Sequence, residues 1–548
     1  MVELDEETTV IAKGALWQNI TSIFVKLLAF VYTILIARLV AQEQVGLFYF
    51  ALGIVGAIGI FADLGLTSAI TRYVPFYLGK KDHESAHKAV AIAVFFGTLL
   101  LFACSAATFL LAGSISAFFN NPSLEPVLSL FAVNLAIVQA YTISNTLLFS
   151  LKQVRASAIG GALQAALKLT FTLLLIFSLG ANARSLAIAF MASYAFSGFY
   201  LIFELRKHLG WMKKGTFFQL HDYVPMLREL VPFGVMVVSA MAFASIVGYS
   251  DKLMLGYLLK ENTNEQIAIY SIATSLSSLA SIFAGSVAGI LFPVVSGLIG
   301  KNDIAKVNKT SQTALKWIMF SSIPIAAFLA AFAAPMLRIL YGSAYEPGSI
   351  SLALFSFGTL AVFLGVVQRT ALIGMRLVKI DLFCAATAAF VNIGLNVLLI
   401  PILGINGSAL ASLVSFAVVT IMNNHYAHKY FGFEFPASAW KNIFAGALVF
   451  LILFAIQLAA YQYIINMPFP LGDGGIVFSV LDKFLKLAFL LVFFAIGALM
   501  YLMLINLLRL FEHEDVQVFR QIFAKFGFPQ WVGTFSVRMV FWNQKELH

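Results

Sequence analysis

AVAIAVFFGTLLLFACSAATFLLA, residues 89–112, carries no charged side chain from end to end. A bilayer's hydrocarbon core is about 30 Å thick and takes about 20 apolar residues of helix to cross. This stretch is long enough. DKFLKLAFLLVFFAIGALMYLMLINLL, residues 482–508, reads the same way, and apolar runs of this kind recur about fourteen times along the 548 residues, separated by short polar loops. Membrane barrels would need alternating segments of about ten residues, whereas these runs are longer and continuous. The composition agrees, with 61% hydrophobic and 11% charged residues and a mean hydropathy of +0.92. A soluble domain carries about 25% charged residues. The expected fold class is an all-α polytopic membrane protein with about 14 transmembrane helices.

The spans are expected to start near Leu16, Gly46, Ala89, Leu124, Ala156, Ser185, Glu229, Gln266, Thr313, Ser349, Lys379, Ile405, Trp440 and Asp482. With the N-terminus inside, 25 of the 35 Lys and Arg fall in inner segments, seven in outer ones, and Lys26, Lys168 and Arg369 within spans. Basic residues gather on the cytoplasmic side of membrane proteins, so both termini are expected to be cytoplasmic. The formal charge of +10 is then mainly topological, and a nucleic-acid partner is not expected. The acidic start, Met1 to Glu7, is unlike a secretory signal, and the first apolar run should persist as a true span. Cys104 and Cys384 both sit in predicted spans, which indicates neither a disulfide framework nor a metal site.

An internal repeat organises the chain. LLIFSLGANARSLA at 174–187 recurs as LLIPILGINGSALA at 398–411, an offset of 224 residues. ARLV at 37–40 is echoed by GYLL at 256–259, an offset of 219. Two six-helix lobes follow, 1–210 and 211–435, with two added helices over 436–510 and an amphipathic cytoplasmic tail over 511–548. Six is even, so both copies start on the same side, and transporters built from such parallel repeats bind substrate between the lobes. In the tail, Phe511, Phe519, Phe523, Phe526 and Trp531 alternate with Arg509, Arg520, Lys525 and Arg538. That pattern suits the inner membrane surface, or a docking site for a partner protein.

Charges inside spans are the candidate functional groups, because a basic side chain at mid-bilayer costs about 2.5–3.5 kcal/mol. At 1.5 Å per residue, Lys26 lies about 15 Å and Lys168 about 18 Å from the inner ends of their spans. Arg369 is nearer an inner end, where its stem could carry the guanidinium to the headgroups. Gly160, Gln164, Lys168 and Thr172 repeat every four residues and form one polar face; Gln18, Ser22, Lys26 and Thr33 line a similar one. Asn134, Tyr141 and Asn145 form a third face, and Asn392 with Asn396 a fourth; both suit sugar hydroxyls. These residues could equally serve helix packing, and Asn392, which aligns with Lys168 in the repeat, could stabilise its lobe. Asp63 could pair with Lys26, contact a coupling cation or proton, or open from Lys26 when substrate arrives.

The opening Gly14-Ala15-Leu16-Trp17, Ala37-Arg38-Leu39 with Val45-Gly46-Leu47, and Asp63-Leu64-Gly65-Leu66 before Arg72-Tyr73 resemble the first helical hairpin of the polysaccharide transporters, the oligosaccharide flippases of the MOP exporter superfamily. Asn392, Asn396, Ile400-Pro401, Gly404-Ile405 and Gly407 with Ala409-Leu410-Ala411 resemble that family's eleventh and twelfth helices. The likeness covers about residues 10–430. It departs at Val40-Ala41-Gln42-Glu43-Gln44, where many members have Gly-Pro before an acidic pair. The resemblance implies a V-shaped bundle of two six-helix lobes in the plasma membrane of a prokaryote. It also implies a substrate, a polyprenyl (pyro)phosphate-linked oligosaccharide carried from the inner to the outer leaflet by alternating access for surface-glycan synthesis.

On that reading the substrate phosphates meet Lys168, Lys26 and Arg369, membrane lipids hold the lipid tail, the C-terminal segment could dock proteins of glycan synthesis, and no cofactor is required. Moving two negative charges out of a cell that is negative inside releases about 4.6 kcal/mol per 100 mV, so a diphosphate could leave without a dedicated ion site. A cation-coupled multidrug exporter of the same superfamily is the alternative, and would need membrane-buried acids. A membrane glycosyltransferase or polymer ligase is the third reading. The chain has no Asp-x-Asp motif, and the outer connection at 463–481 has Asp473 as its one acid, so no enzyme is expected.

Overall fold

The computed structural model describes residues 6–63, 66–209, 245–281, 303–466 and 475–510, together with 239, 242–243, 291, 294–295 and 297–301. The tail over 511–548, the greater part of the span expected from Glu229 and much of the one expected from Gln266 lie outside the described residues. Every element among the described residues is helical, and twelve helices are long and apolar enough to cross a membrane. These twelve correspond to twelve of the fourteen expected spans.

The helices are α1 (Glu6–Leu39), α2 (Gln42–Asp63), α3 (Leu66–Gly79), α4 (His83–Phe118), α5 (Leu124–Ser150), α6 (Val154–Leu179), α7 (Ala183–His208), α8 (245–258), α9 (Thr263–Ser277), α10 (Ile304–Ala331), α11 (Ala333–Leu340), α12 (Ser349–Gly374), α13 (Val378–Leu403), α14 (Ile405–Phe431), α15 (Ala437–Asn466) and α16 (Gly475–Leu507). Their ends follow from local chemistry. The Asp82 carboxylate accepts from the Ser85 N–H at 3.0 Å and starts α4; the Asn182 side chain does the same for Ser185 in α7, also at 3.0 Å. Each supplies a partner for an otherwise orphaned N-terminal donor.

The repeat is visible in the backbone. Adding 224 to both bounds of α6 gives those of α13. Both end in glycine at positive φ, Gly180 at 95° and Gly404 at 57°, a conformation that L side chains rarely adopt. The turns that follow differ: three residues precede Ala183, whereas the next helix of the second copy starts at Ile405, directly after its glycine.

The chain forms two compact units, one of Met1–Leu276 with Arg376–Val419 and the other of Ser277–Met375 with Thr420–His548. In the first, α1 packs on α6, α6 and α5 on α7, and α4 on α5. Ile70, Val74, Val90, Ile92, Leu148 and Leu201 form a buried core from α3, α4, α5 and α7. Apolar side chains gain little from meeting each other rather than lipid, so small residues and polar contacts join membrane helices. Gly160 is one such point: a Cβ there would lie 2.4 Å from Leu201, and the Ser197 hydroxyl donates to the Gly160 carbonyl at 2.6 Å. In the second unit α10 packs on α12 and α15, and α15 on α16. Thr420 of α14 donates to the Ala361 carbonyl at 2.6 Å, against Gly365.

Candidate functional site

The α1–α2 hairpin sets the geometry of the first unit. Tyr32 stands seven residues before the end of α1, and Tyr49 seven residues after the start of α2. Both rings therefore lie about 10 Å from the turn. Each is buried, and their hydroxyls are close enough to interact electrostatically.

Each ring carries a lysine. Lys168 Nζ, from α6, lies 4.3 Å from the Tyr32 ring centroid. Lys252 Nζ, from α8, lies 5.5 Å from that of Tyr49. The Lys252 stem runs over Gly53 of α2, where a Cβ would approach it to 3.3 Å. Among the described residues neither ammonium forms an ion pair. A desolvated cation over an aromatic face gains about 2 kcal/mol, which offsets most of the roughly 2.5–3.5 kcal/mol that a lysine costs at mid-membrane. The remainder is what an anion would relieve. Thr172, one turn beyond Lys168, is fully buried and faces Tyr32, yet among the described residues neither hydroxyl completes a hydrogen bond.

The second copy holds the opposite charge. The offset of 219 carries Tyr32 to Asp251, and that of 224 carries Lys168 and Thr172 to Asn392 and Asn396. These three also meet. The Asn392 and Asn396 side-chain amides donate to Asp251 Oδ1 at 3.1 and 2.8 Å, while the Ser412 hydroxyl donates to Oδ2 at 2.6 Å. The Tyr270 hydroxyl donates to Oδ2 as well. Ser250 donates to Asn392 Oδ1 at 2.7 Å, and Ser408 to the Tyr270 oxygen at 3.2 Å. Asp251 is thus a buried carboxyl surrounded by donors, and the adjacent Lys252 interacts with its charge.

The other expected site residues are distributed as follows. Gln164 donates to the Ser193 hydroxyl at 3.2 Å, joining α6 to α7, and Asn145 accepts from Ser157 at 2.7 Å, joining α5 to α6. Tyr141 meets Tyr194 edge-on at 5.0 Å, and Asn134 is buried on α5. Lys26 is half-buried on α1, six residues before Tyr32. Arg369 is half-buried on α12 of the second unit. Asp63 is the last residue of α2; its side chain, and with it the expected bridge to Lys26, lies outside the described residues.

The profile of the family described as polysaccharide biosynthesis protein matches residues 11–299, more than half of the chain. The chain belongs to that family. A second profile, lipid II flippase MurJ, matches residues 263–473. A probable low-salt glycan biosynthesis flippase, Agl15 of Haloferax volcanii, is 22% identical over 441 residues, covering 78% of this chain and 86% of its own length. Among solved structures, lipid II flippase MurJ in an inward closed conformation has a similar fold, with a TM-score of 0.68 at 17% identity over 89% of this chain and 98% of its own. An inward-facing MATE multidrug transporter of the MOP superfamily gives 0.60 at 16% identity, over 74% and 93%. The expected resemblance therefore holds for family and fold: the chain belongs to the polysaccharide biosynthesis protein family and shares the fold of these transporters.

Among the described residues, buried Asp251, Lys316 and Asp381 and half-buried Lys252 were not among the expected charges. Lys252 is not among the three basic residues expected within spans, yet α8 continues through it to residue 258. Asp251 beside it is a buried acid that the reading of the spans passed over. The run Tyr249-Ser250-Asp251-Lys252 looks like the polar end of a span, but Leu253-Met254-Leu255 resumes the apolar pattern. The 219-residue offset was the available signal, because it places Asp251 opposite Tyr32, well inside span one.

Proposed function

We propose that the chain is a flippase for a polyprenyl-linked oligosaccharide, moving its head group from the cytoplasmic to the outer leaflet of a prokaryotic plasma membrane for surface-glycan synthesis. The observation that carries this is Lys168: an ammonium deep in the first unit, seated on Tyr32 and without an ion-pair partner among the described residues. A phosphate supplies the missing charge through charge-assisted hydrogen bonds, which gain strength in apolar surroundings. The likeness to flippases in sequence and in fold supports the same reading.

In this proposal two six-helix lobes, 1–210 and 211–435, rock about the substrate, with 436–510 as added helices, 511–548 as an inner-surface tail and both termini cytoplasmic. Lys168 binds phosphate, Lys26 and Arg369 lie along the route of the head group, and Asn134 and Tyr141 meet sugar. Gln164, Asn145, Asn392 and Asn396 already have hydrogen-bond partners and hold helices together. Asp63 is a candidate ion-pair or coupling residue on that route.

The test is mass spectrometry of lipid-linked saccharides in cells depleted of the protein, beside a Lys168→Ala strain. Both should accumulate a completed polyprenyl-linked oligosaccharide and lose the surface glycan. Retained glycan in Lys168→Ala cells with normal protein levels would sink the assignment. A cation-coupled drug exporter is the second reading, and Asp251 is the observation that favours it, as a membrane-buried acid. Sensitivity to cationic dyes on depletion, with normal glycan, would select that reading instead.

A further inference from the structure

Tyr141 of α5, Tyr194 of α7 and Tyr249 of α8 bring three phenol hydroxyls together within the first unit. Tyr141 and Tyr194 meet edge-on with ring centroids 5.0 Å apart, and the Tyr194 hydroxyl is close enough to those of Tyr141 and Tyr249 to interact with both. All three residues are half-buried. Among the described residues none of the three hydroxyls completes a hydrogen bond or meets a charged group, whereas a tyrosine hydroxyl taken from water ordinarily finds a partner. We propose that Tyr141, Tyr194 and Tyr249 form a subsite for an uncharged sugar ring of the transported head group, and that this subsite selects a neutral sugar over an acidic one. The inference rests on the flippase reading, and adds Tyr194 and Tyr249 to the sugar contact which that reading gives Tyr141.

The rings are held in place by what surrounds them. Gly198 brings α7 against α5, where a Cβ would lie 3.7 Å from the Tyr141 Cα, and Tyr194 packs on Phe190 with ring centroids 4.9 Å apart. The Tyr249 ring lies on Gly56 of α2, which has no room there for a side chain. Hydrogen-bonding groups fixed before a ligand arrives lose little freedom in binding it. Gly161 of α6 leaves the space: among the described residues a Cβ there would meet only the Tyr141 hydroxyl, at 3.9 Å. Lys168 follows Gly161 by seven residues, two turns and about 10 Å along the same face of α6. In the expected orientation α6 runs outward, so the tyrosines stand on the cytoplasmic side of Lys168, from which the head group enters. A lipid-linked oligosaccharide with its phosphate at Lys168 then lays a sugar over Gly161, among the three hydroxyls. Each phenol can donate one hydrogen bond and accept another, which matches the hydroxyls of a sugar ring. A uronic acid would bring a carboxylate to a place where no cation meets the three phenols, and burying an unpaired charge is costly.

The experiment uses the purified full chain in lipid nanodiscs and calorimetric titration with three diphosphate diesters: methyl, glucosyl and glucuronosyl farnesyl diphosphate. The wild type should hold the glucosyl probe about tenfold more tightly than the methyl probe, which has the same linkage and no sugar. It should hold the glucuronosyl probe about tenfold less tightly than the glucosyl one. Tyr194→Phe and Tyr249→Phe delete a hydroxyl and keep the ring, and each should narrow the glucosyl-to-methyl ratio about threefold. Gly161→Leu, which fills the space for the sugar and leaves every tyrosine intact, should narrow it as well and stands in if a phenylalanine variant does not fold. Equal binding of the glucosyl and methyl probes by the wild type overturns the proposal. So does a ratio unchanged in both phenylalanine variants, or a glucuronosyl probe bound as tightly as the glucosyl one. Lys168→Gln tests the reading beneath it. Weakening of all three probes alike upholds the phosphate contact, whereas no effect on any of them removes that contact from the flippase reading, whatever the tyrosine variants show.

Discussion

The junction around Lys168 and the junction around Asp251 occupy equivalent places in the two halves of a repeat, and they carry opposite charge. Around Asp251 every carboxylate oxygen has donors, four in all from Tyr270, Asn392, Asn396 and Ser412. Around Lys168 the ammonium has an aromatic face, and the nearby hydroxyls of Tyr32 and Thr172 complete no hydrogen bond among the described residues. Asn396 Oδ1 completes no hydrogen bond among the described residues, but the donors around Asp251 are paired, and a buried network with its donors paired rigidifies a fold. One left incomplete is poised for a ligand. The same helix crossing has become a structural lock in one copy and a candidate binding site in the other, and duplication made that division possible by providing the crossing twice.

The widest gap should come from removing each charge. Asp251→Ala leaves four donors without their acceptor and should lower stability by about 3 kcal/mol or more, read as a fall in melting temperature of the purified protein. Lys168→Met removes a cation that has no ion pair to lose, and should change stability by less than about 1 kcal/mol while abolishing glycan export. Equal destabilisation by both substitutions would break the distinction.

One turn along, Asn396 and Thr172 sharpen it. Asn396→Ala removes a 2.8 Å hydrogen bond to a carboxylate, with an expected loss of about 1.5–3 kcal/mol. Thr172→Val replaces a buried hydroxyl that completes no hydrogen bond, and should be neutral to about 0.5 kcal/mol stabilising. A large loss in Thr172→Val would show that the first-copy junction is a lock as well.

The smallest effect contrasts a buried carboxylate with an exposed one. The Ser85 hydrogen bond holds the Asp82 carboxyl below the ordinary aspartate value of about 3.9. Its stabilisation is therefore present at neutral pH and lost as pH falls through the lowered value. Melting curves of wild type and Asp82→Ala should differ slightly at pH 7 and converge on acidification. Asp251→Ala should show its larger deficit throughout the neutral range. A constant difference for Asp82→Ala down to pH 2 would mean that its carboxylate does not contribute through charge.

Much of the architecture was legible in the chain. Twelve spans fall where apolar runs of sufficient length occur, because helices are the only continuous structures that satisfy their own backbone in lipid. The turns after α6 and α13 were legible too, since Gly180 and Gly404 occupy conformations reserved for glycine. Lys168 stood out because a charge in an apolar run is costly. Asp251 and Lys252 did not, because a Tyr-Ser-Asp-Lys run reads like a span's end, and only the continuation of α8 shows that it lies within one.

The sequence by itself determined that this protein is an all-helical membrane protein, with an internal repeat and a lysine at mid-span, since hydropathy and periodicity are local properties. Only the tertiary structure decided which polar side chains are already spoken for. Whether an asparagine on a span meets sugar or holds Asp251, and whether a lysine is paired or rests on a tyrosine, depends on residues more than a hundred positions away brought within 3 to 5 Å by helix packing. One-dimensional spacing carries no such distance. The free energy that assigns those partners belongs to contacts between helices.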